Sequence, residues 1–143
     1  MIQRLFLMAG SFLMIGLQPA CSQQPSSTTA EGNAPTTMVE DLTLADFYAQ
    51  WKDSGATLVD VRSPEEYGAG HAAQALNINF FDNDFAAQAA AKLDKDAPVY
   101  IYCASGNRSG KAKKLLAEAG FKEVYNLTGA GYQQWAAAGY PVE

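Results

Sequence analysis

Pro98-Val99-Tyr100-Ile101-Tyr102-Cys103-Ala104-Ser105-Gly106-Asn107-Arg108-Ser109 is the stretch on which the reading of this chain turns. Val99 to Tyr102 are four apolar residues in a row, all of them β-branched or aromatic with strong strand preference. A short apolar run with no polar alternation fits a strand buried on both faces, as in a parallel sheet. Cys103 stands at the exit of that strand. Small residues and Gly106 follow, which lets the chain turn tightly. From Ser109 to Ala119 the pattern is helical, with Ala112, Leu115, Leu116 and Ala119 expected inward and Gly120 as the stop.

The same alternation of strand and helix extends on either side. Upstream, Thr43-x-x-Asp46 has the form of a helix N-cap, and Leu44, Phe47, Tyr48 and Trp51 fall on one helical face. Thr57 to Val61 reads as a strand. Ser63-Pro64-Glu65-Glu66 is a strong helix start, with Ser at the cap, Pro in the first turn and Glu three residues on. Leu76 to Phe80 is expected as a further strand. Asp84 is expected to cap a helix with Ala86, Ala89, Ala90 and Leu93 on one face. Downstream, Val124 to Leu127 reads as a strand, and a last helix with Tyr132 and Trp135 stops at Gly139. The fold class is therefore α/β, with a central, mostly parallel sheet covered by helices on both faces. Ligands in such folds sit beyond the carboxyl ends of the strands, and Cys103 lies there.

A tight loop running into a helix can turn several backbone N–H groups towards one centre and so bind an anion. The helix adds the positive end of its dipole, and Arg108 adds a full charge. A thiolate at Cys103 is stabilised in such a bowl, so its pKa is expected below the ordinary thiol value. This is a site for nucleophilic attack by Cys103 on an anionic substrate. The competing reading, a buried structural cysteine, suits a residue inside a strand better than one at its exit.

Composition narrows the field. Of 143 residues, 48% are hydrophobic and 17% charged, which suits one folded domain. The net charge of −5 and the lack of a basic block argue against nucleic acid as a partner. One histidine and two cysteines in unlike contexts, Cys21 and Cys103, make a zinc or haem site unexpected, and no other cofactor is expected. The chain opens with Arg4 and an apolar run from Leu5 to Leu17, the form of a signal peptide and too short for a comfortable membrane span. The run ends in Leu17-Gln18-Pro19-Ala20-Cys21, which resembles the lipobox of bacterial lipoproteins, with Gln18 where an aliphatic residue is usual. The resemblance implies lipidation of Cys21; the alternative is ordinary cleavage nearby, leaving a soluble protein. Residues 1–21 are thus read as the targeting segment, 22–38 as a flexible polar linker and 39–143 as the domain. The expected location is the bacterial periplasm, with membrane contact only through a lipid at Cys21.

Several motifs together resemble the rhodanese family of sulfurtransferases. Cys103-x-x-Gly106-x-Arg108-Ser109 is similar to that family's active-site loop. Asp60-Val61-Arg62-Ser63-Pro64-Glu65-Glu66-Tyr67 with Gly70-His71 is similar to its early motif, and Asn77-Ile78 to the strand that follows. Asn126-Leu127, Gly129-Ala130-Gly131, Trp135 and Gly139-Tyr140-Pro141-Val142 resemble its closing motif. The likeness runs in order over residues 39 to 143. It implies a rhodanese-like domain in which Cys103 takes the outer sulfur of a small anionic donor as a persulfide. A thiol or cyanide acceptor then removes it. Ala104, Ser105, Gly106, Asn107, Arg108 and Ser109 would hold the donor and the transferred sulfur, with Arg108 on the donor's oxyanion. Asp60, Arg62 and His71 are read as structural support, with an ion pair expected from Arg62 to Glu65 or Glu66. A monomer is expected.

The chain also departs from the family. Where members often read Gly-His-Ile-Pro-Gly-Ala, this sequence has Gly70-His71-Ala72-Ala73-Gln74-Ala75, so the turn is expected to differ locally. Ala104 stands where many thiosulfate-using members carry a basic residue, which weighs against thiosulfate as the natural donor. Two other functions compete. A non-catalytic persulfide carrier would keep the same residues. Cysteine-dependent phosphatases and arsenate reductases have five residues between Cys and Arg; here four intervene, a bowl too small for a tetrahedral phosphate.

Overall fold

The computed structural model describes residues 36–143. The targeting segment, Cys21 and nearly all of the expected linker lie outside them. The elements run β1 (Met38–Leu42), α1 (Leu44–Trp51), β2 (Thr57–Asp60), α2 (Pro64–Gly68), β3 (Leu76–Asn77), α3 (Phe85–Lys92), β4 (Val99–Tyr102), α4 (Asn107–Glu118), β5 (Glu123–Leu127) and α5 (Tyr132–Ala137). The five strands form one sheet in the order β1-β5-β4-β2-β3, and every pairing is parallel. β4, buried at all four residues, lies at its centre. Period-two alternation splits β4 between two cores. Val99, Ile101 and Cys103 join Phe85, Ala89, Ala112 and Leu116 on one face, so α3 and α4 cover that side. Tyr100 and Tyr102 join Phe47 and Trp135 on the other, under α1 and α5.

Local signals held where a side chain satisfies the backbone directly. Thr43 caps α1 by accepting the Asp46 N–H. Ser63 and Glu66 form a full capping box at α2. Where packing decides, the structure differs from the sequence reading. β1 has no counterpart in the sequence pattern: four of its five residues are exposed, so it carries no apolar signal, and Met38 belongs to the domain and not to the linker because it pairs opposite Glu123. β3 is two residues long, although Ile78 and Phe80 still donate backbone N–H groups to Asp60 and Val61. Asp84 makes no capping bond; its carboxylate takes the Gln88 amide instead. α3 buries Phe85 and Ala89, which rotates Ala90 out to solvent. α4 starts two residues earlier than expected and leaves Leu115 exposed, because its buried face is Ser109, Ala112 and Leu116.

The segment that lacks the family's usual glycine is a hydrogen-bonded turn, with Ala75 N–H donating to Ala72 O at 3.0 Å. Its third residue, Gln74, has φ +67°, as a type II turn requires there. A glycine adopts that conformation freely, whereas Gln74 is strained in it. Residues 141–143 run back along this segment: Ala73 N–H donates to Pro141 O, and His71 and Glu143 exchange backbone bonds.

Candidate active site

β4 delivers Cys103 to the carboxyl end of the sheet, and the 103–109 loop folds over it so that the residue is fully buried. The Gly106 N–H donates to Cys103 Sγ at 3.1 Å, and the Ser109 hydroxyl lies 3.5 Å from it. Burial pushes the thiol pKa up, but the Ser109 hydroxyl and the N–H groups of Ser109, Ser105 and Gly106 outweigh it. The net shift is downward, as expected for a thiolate nucleophile. The sulfur cradle is thus Ser105, Gly106 and Ser109; Ala104 instead lines a neighbouring cleft, and Asn107 is exposed in the first turn of α4.

Two glycines fix the loop. Gly106 sits at φ +90°, and a Cβ there would press on the Gly129 N at 3.3 Å. At Gly131 the constraint is proximity: a Cβ would fall about 2.0 Å from Ala104 O, inside the loop's own backbone. The adjacent Tyr132 N–H donates to Cys103 O at 3.0 Å. The closing segment therefore clamps the active loop, a role that pattern alone did not assign to Gly131 or Tyr132.

Behind the loop lies a buried brace. The Asp60 carboxylate accepts Arg62 Nε at 2.9 Å, Arg62 Nη2 at 2.6 Å and the Tyr102 hydroxyl at 2.7 Å. Tyr102 in turn accepts the Ala72 N–H at 3.0 Å, and Arg62 Nη2 also donates to Gly70 O at 2.7 Å. Burial, reinforced by the Asp60 charge, pushes the Tyr102 phenol well above its ordinary pKa, so it stays a neutral donor. The guanidinium of Arg62 lies over the Tyr132 ring at 4.3 Å. Arg62 therefore pairs with Asp60, not with Glu65 or Glu66; the chain bends at Arg62, whose own N–H also donates to Asp60 Oδ1 at 2.9 Å, and this brings its fork back onto the buried carboxylate. Tyr102, directly before Cys103, ties this brace to the nucleophile. His71 stacks on Tyr67 at 3.7 Å, with Nδ1 3.0 Å from Tyr67 O and Nε2 3.6 Å from the Glu143 carboxylate.

At the rim, Arg108 is already engaged. Its two terminal nitrogens meet both Glu66 oxygens at 2.5 and 2.8 Å. The same hydrogen bonds hold the Glu66 carboxyl down at about 2. The expected free cation beside Cys103 is a paired one, because the α2 capping box aims Glu66 at the start of α4. The ring of Phe81, itself exposed, lies 5.7 Å from the Arg108 guanidinium. A cleft of about 270 Å³ opens beside the loop, lined by Arg62, Glu66, Ala69, Ala104, Tyr132 and Gln133. Among the described residues, no three of His, Cys, Asp and Glu come together as a metal would require.

The profile of the rhodanese-like domain matches residues 43–138. The chain belongs to the rhodanese family. The thiosulfate sulfurtransferase GlpE of Pseudomonas aeruginosa is 35% identical over 94 residues, covering 66% of this chain and 81% of that protein. Among solved structures, the rhodanese-like domain of Alr3790 from Anabaena superposes with a TM-score of 0.61 at 28% identity, over 77% of this chain and 79% of that one. The human single-domain sulfurtransferase TSTD1 superposes at 0.57 and 29% identity, over 73% of this chain and 96% of the other. A five-stranded parallel sheet with Cys103 at the carboxyl end of its central strand is the rhodanese fold in this chain, and sulfur transfer is the activity class of its named relatives.

Proposed function

We propose that this rhodanese moves sulfane sulfur from a small donor to a thiol or cyanide acceptor through a persulfide on Cys103. One observation carries the reading: Cys103 Sγ sits at the strand exit under the Gly106 N–H and the Ser109 hydroxyl. Those donors stabilise negative charge on sulfur and so favour the thiolate over the thiol. The Cys103 thiolate attacks the outer sulfur of the donor. A Cys–S bond forms, the donor's S–S bond breaks, and the leaving group departs with the electron pair; from thiosulfate that group is sulfite. The terminal sulfur, now anionic, takes the place of the thiolate among the same donors. The acceptor's nucleophile then attacks that sulfur and Cys103 leaves as the thiolate, closing the cycle. Ala104, the residue after the nucleophile, lines the 270 Å³ cleft, where the donor would dock. Asp60, Arg62 and Tyr102 hold the strand exit and the 70–75 segment in register, and they are positioning residues.

Intact mass after exposure to a sulfane donor tests the reading. One added sulfur atom is expected on the wild-type protein, removed by cyanide and absent in Cys103→Ser. Repeated turnover with acceptor distinguishes an enzyme from a one-shot carrier. Cys103-dependent hydrolysis of aryl phosphates, without a persulfide from any donor, would overturn the assignment.

A further inference from the structure

A carboxylate at the mouth of a site that attacks anions works against the reaction, and Glu66 stands at the rim of the 103–109 loop, on Arg108. It lines the cleft with Ala104, and both its oxygens are on Arg108. The two opposite charges therefore cancel at the rim. Deeper in the same wall, Arg62 is cancelled by Asp60. The remaining lining residues, Ala69, Ala104, Tyr132 and Gln133, carry no charge. The side chains of the cleft and their partners thus sum to no net charge with which to gather a multiply charged anion. What favours negative charge at Sγ is short-ranged: the Gly106 N–H at 3.1 Å and the Ser109 hydroxyl at 3.5 Å.

We propose that Glu66 is a specificity-determining residue: by neutralising Arg108 it turns the site away from dianionic sulfur donors, thiosulfate included, and towards donors carrying one negative charge or none, such as thiosulfonates and alkyl hydropersulfides. This rests on the sulfurtransferase reading above. With a thiosulfonate the balance is the same as with thiosulfate: Cys103 gains the outer sulfur, the S–S bond breaks and a sulfinate leaves in place of sulfite. The two donors differ by a single charge at like chemistry. Glu66 also caps α2, accepting the Ser63 N–H at 3.2 Å. Glutamine serves that cap equally well, so Glu66→Gln removes the charge and keeps the helix start.

The donor's interaction with the Glu66 charge scales with the donor's own charge, so the logarithm of the effect doubles from monoanion to dianion. At low ionic strength Glu66→Gln is expected to raise the loading rate of Cys103 by about threefold with methanethiosulfonate and about tenfold with thiosulfate. The ratio between the donors should return towards the wild-type value in about 1 M salt, where the screening length is only about 3 Å. A second measurement needs no sulfur transfer. The pH profile of Cys103 alkylation by uncharged iodoacetamide should move to lower pH in Glu66→Gln, since a nearby negative charge is gone. Loading by both donors with an unchanged ratio, or an unmoved alkylation profile, overturns the role of Glu66 and leaves the sulfurtransferase reading standing. Failure of every donor to load wild-type Cys103 overturns the sulfurtransferase reading, and the alkylation profile still decides whether Glu66 acts on the site.

Discussion

The domain holds two arginine–carboxylate pairs within one site, and they are built for different work. Asp60–Arg62 is almost sealed from solvent, with side-chain exposures of 0% and 5%. Its carboxylate also carries Tyr102, and its guanidinium also carries Gly70. Glu66–Arg108 is also a two-bond pair, made end-on through both terminal nitrogens, but it stands at the rim, with Glu66 38% exposed and Arg108 19%. In the first pair neither charge is free to leave, because an unpaired ion in that interior costs several kcal/mol. In the second, water screens both partners, so the pair is cheap to make and cheap to change. Burial, and not residue type, separates a brace from an adjustable electrostatic rim.

The contrast breaks most directly at Asp60. Asp60→Ala leaves Arg62 charged and unpaired in the interior, and should cost about 3–5 kcal/mol of stability. Denaturant unfolding measures it; a loss below about 1 kcal/mol would show that the brace is dispensable. At the rim, Arg108→Ala should slow sulfur loading of Cys103 by about tenfold while changing stability by no more than about 1 kcal/mol. If its stability loss matches that of Asp60→Ala, the two pairs do not differ in kind. The rim pair also has a pH signature. Glu66 is held at about 2 in the fold, below its ordinary value of 4.5. Its contribution is therefore complete above about pH 4.5 and lost as pH falls towards 2. In Arg108→Ala the decline of the unfolding midpoint over that window should be shallower than in wild type. The smallest effect is on the turn that the brace holds. Gln74→Gly should relieve the left-handed backbone and raise stability by up to about 1 kcal/mol, less the added freedom of glycine in the unfolded chain. A clear loss of stability would mean that the Gln74 side chain contributes more than its backbone costs.

Legibility followed the range of the interaction. The strand Val99–Tyr102, the capping box at Ser63 and the nucleophile at Cys103 were readable because each depends on neighbours a few residues away. β1 was invisible: it is an edge strand with Met38 and Val39 exposed, and only its pairing with β5 makes it a strand. On α3 and α4 the inward residues Ala89, Leu93, Ala112 and Leu116 follow the pattern, whereas Ala90 and Leu115 face out, since they are as apolar as their buried neighbours and the sheet alone chooses.

By itself the sequence determined the alternation of strands and helices, the place of Cys103 at a strand exit and the small-residue loop that cradles its sulfur. These are local: they follow from periodicity, capping chemistry and the turn that Gly106 permits. Only the tertiary structure decided which charges meet. Arg62 turns back to Asp60, Arg108 crosses to Glu66 over 42 residues of sequence, and Gly131 must lack a side chain because Ala104 O lies where its Cβ would be. Charge pairing and close approach depend on distance in space, which spacing along the chain does not contain.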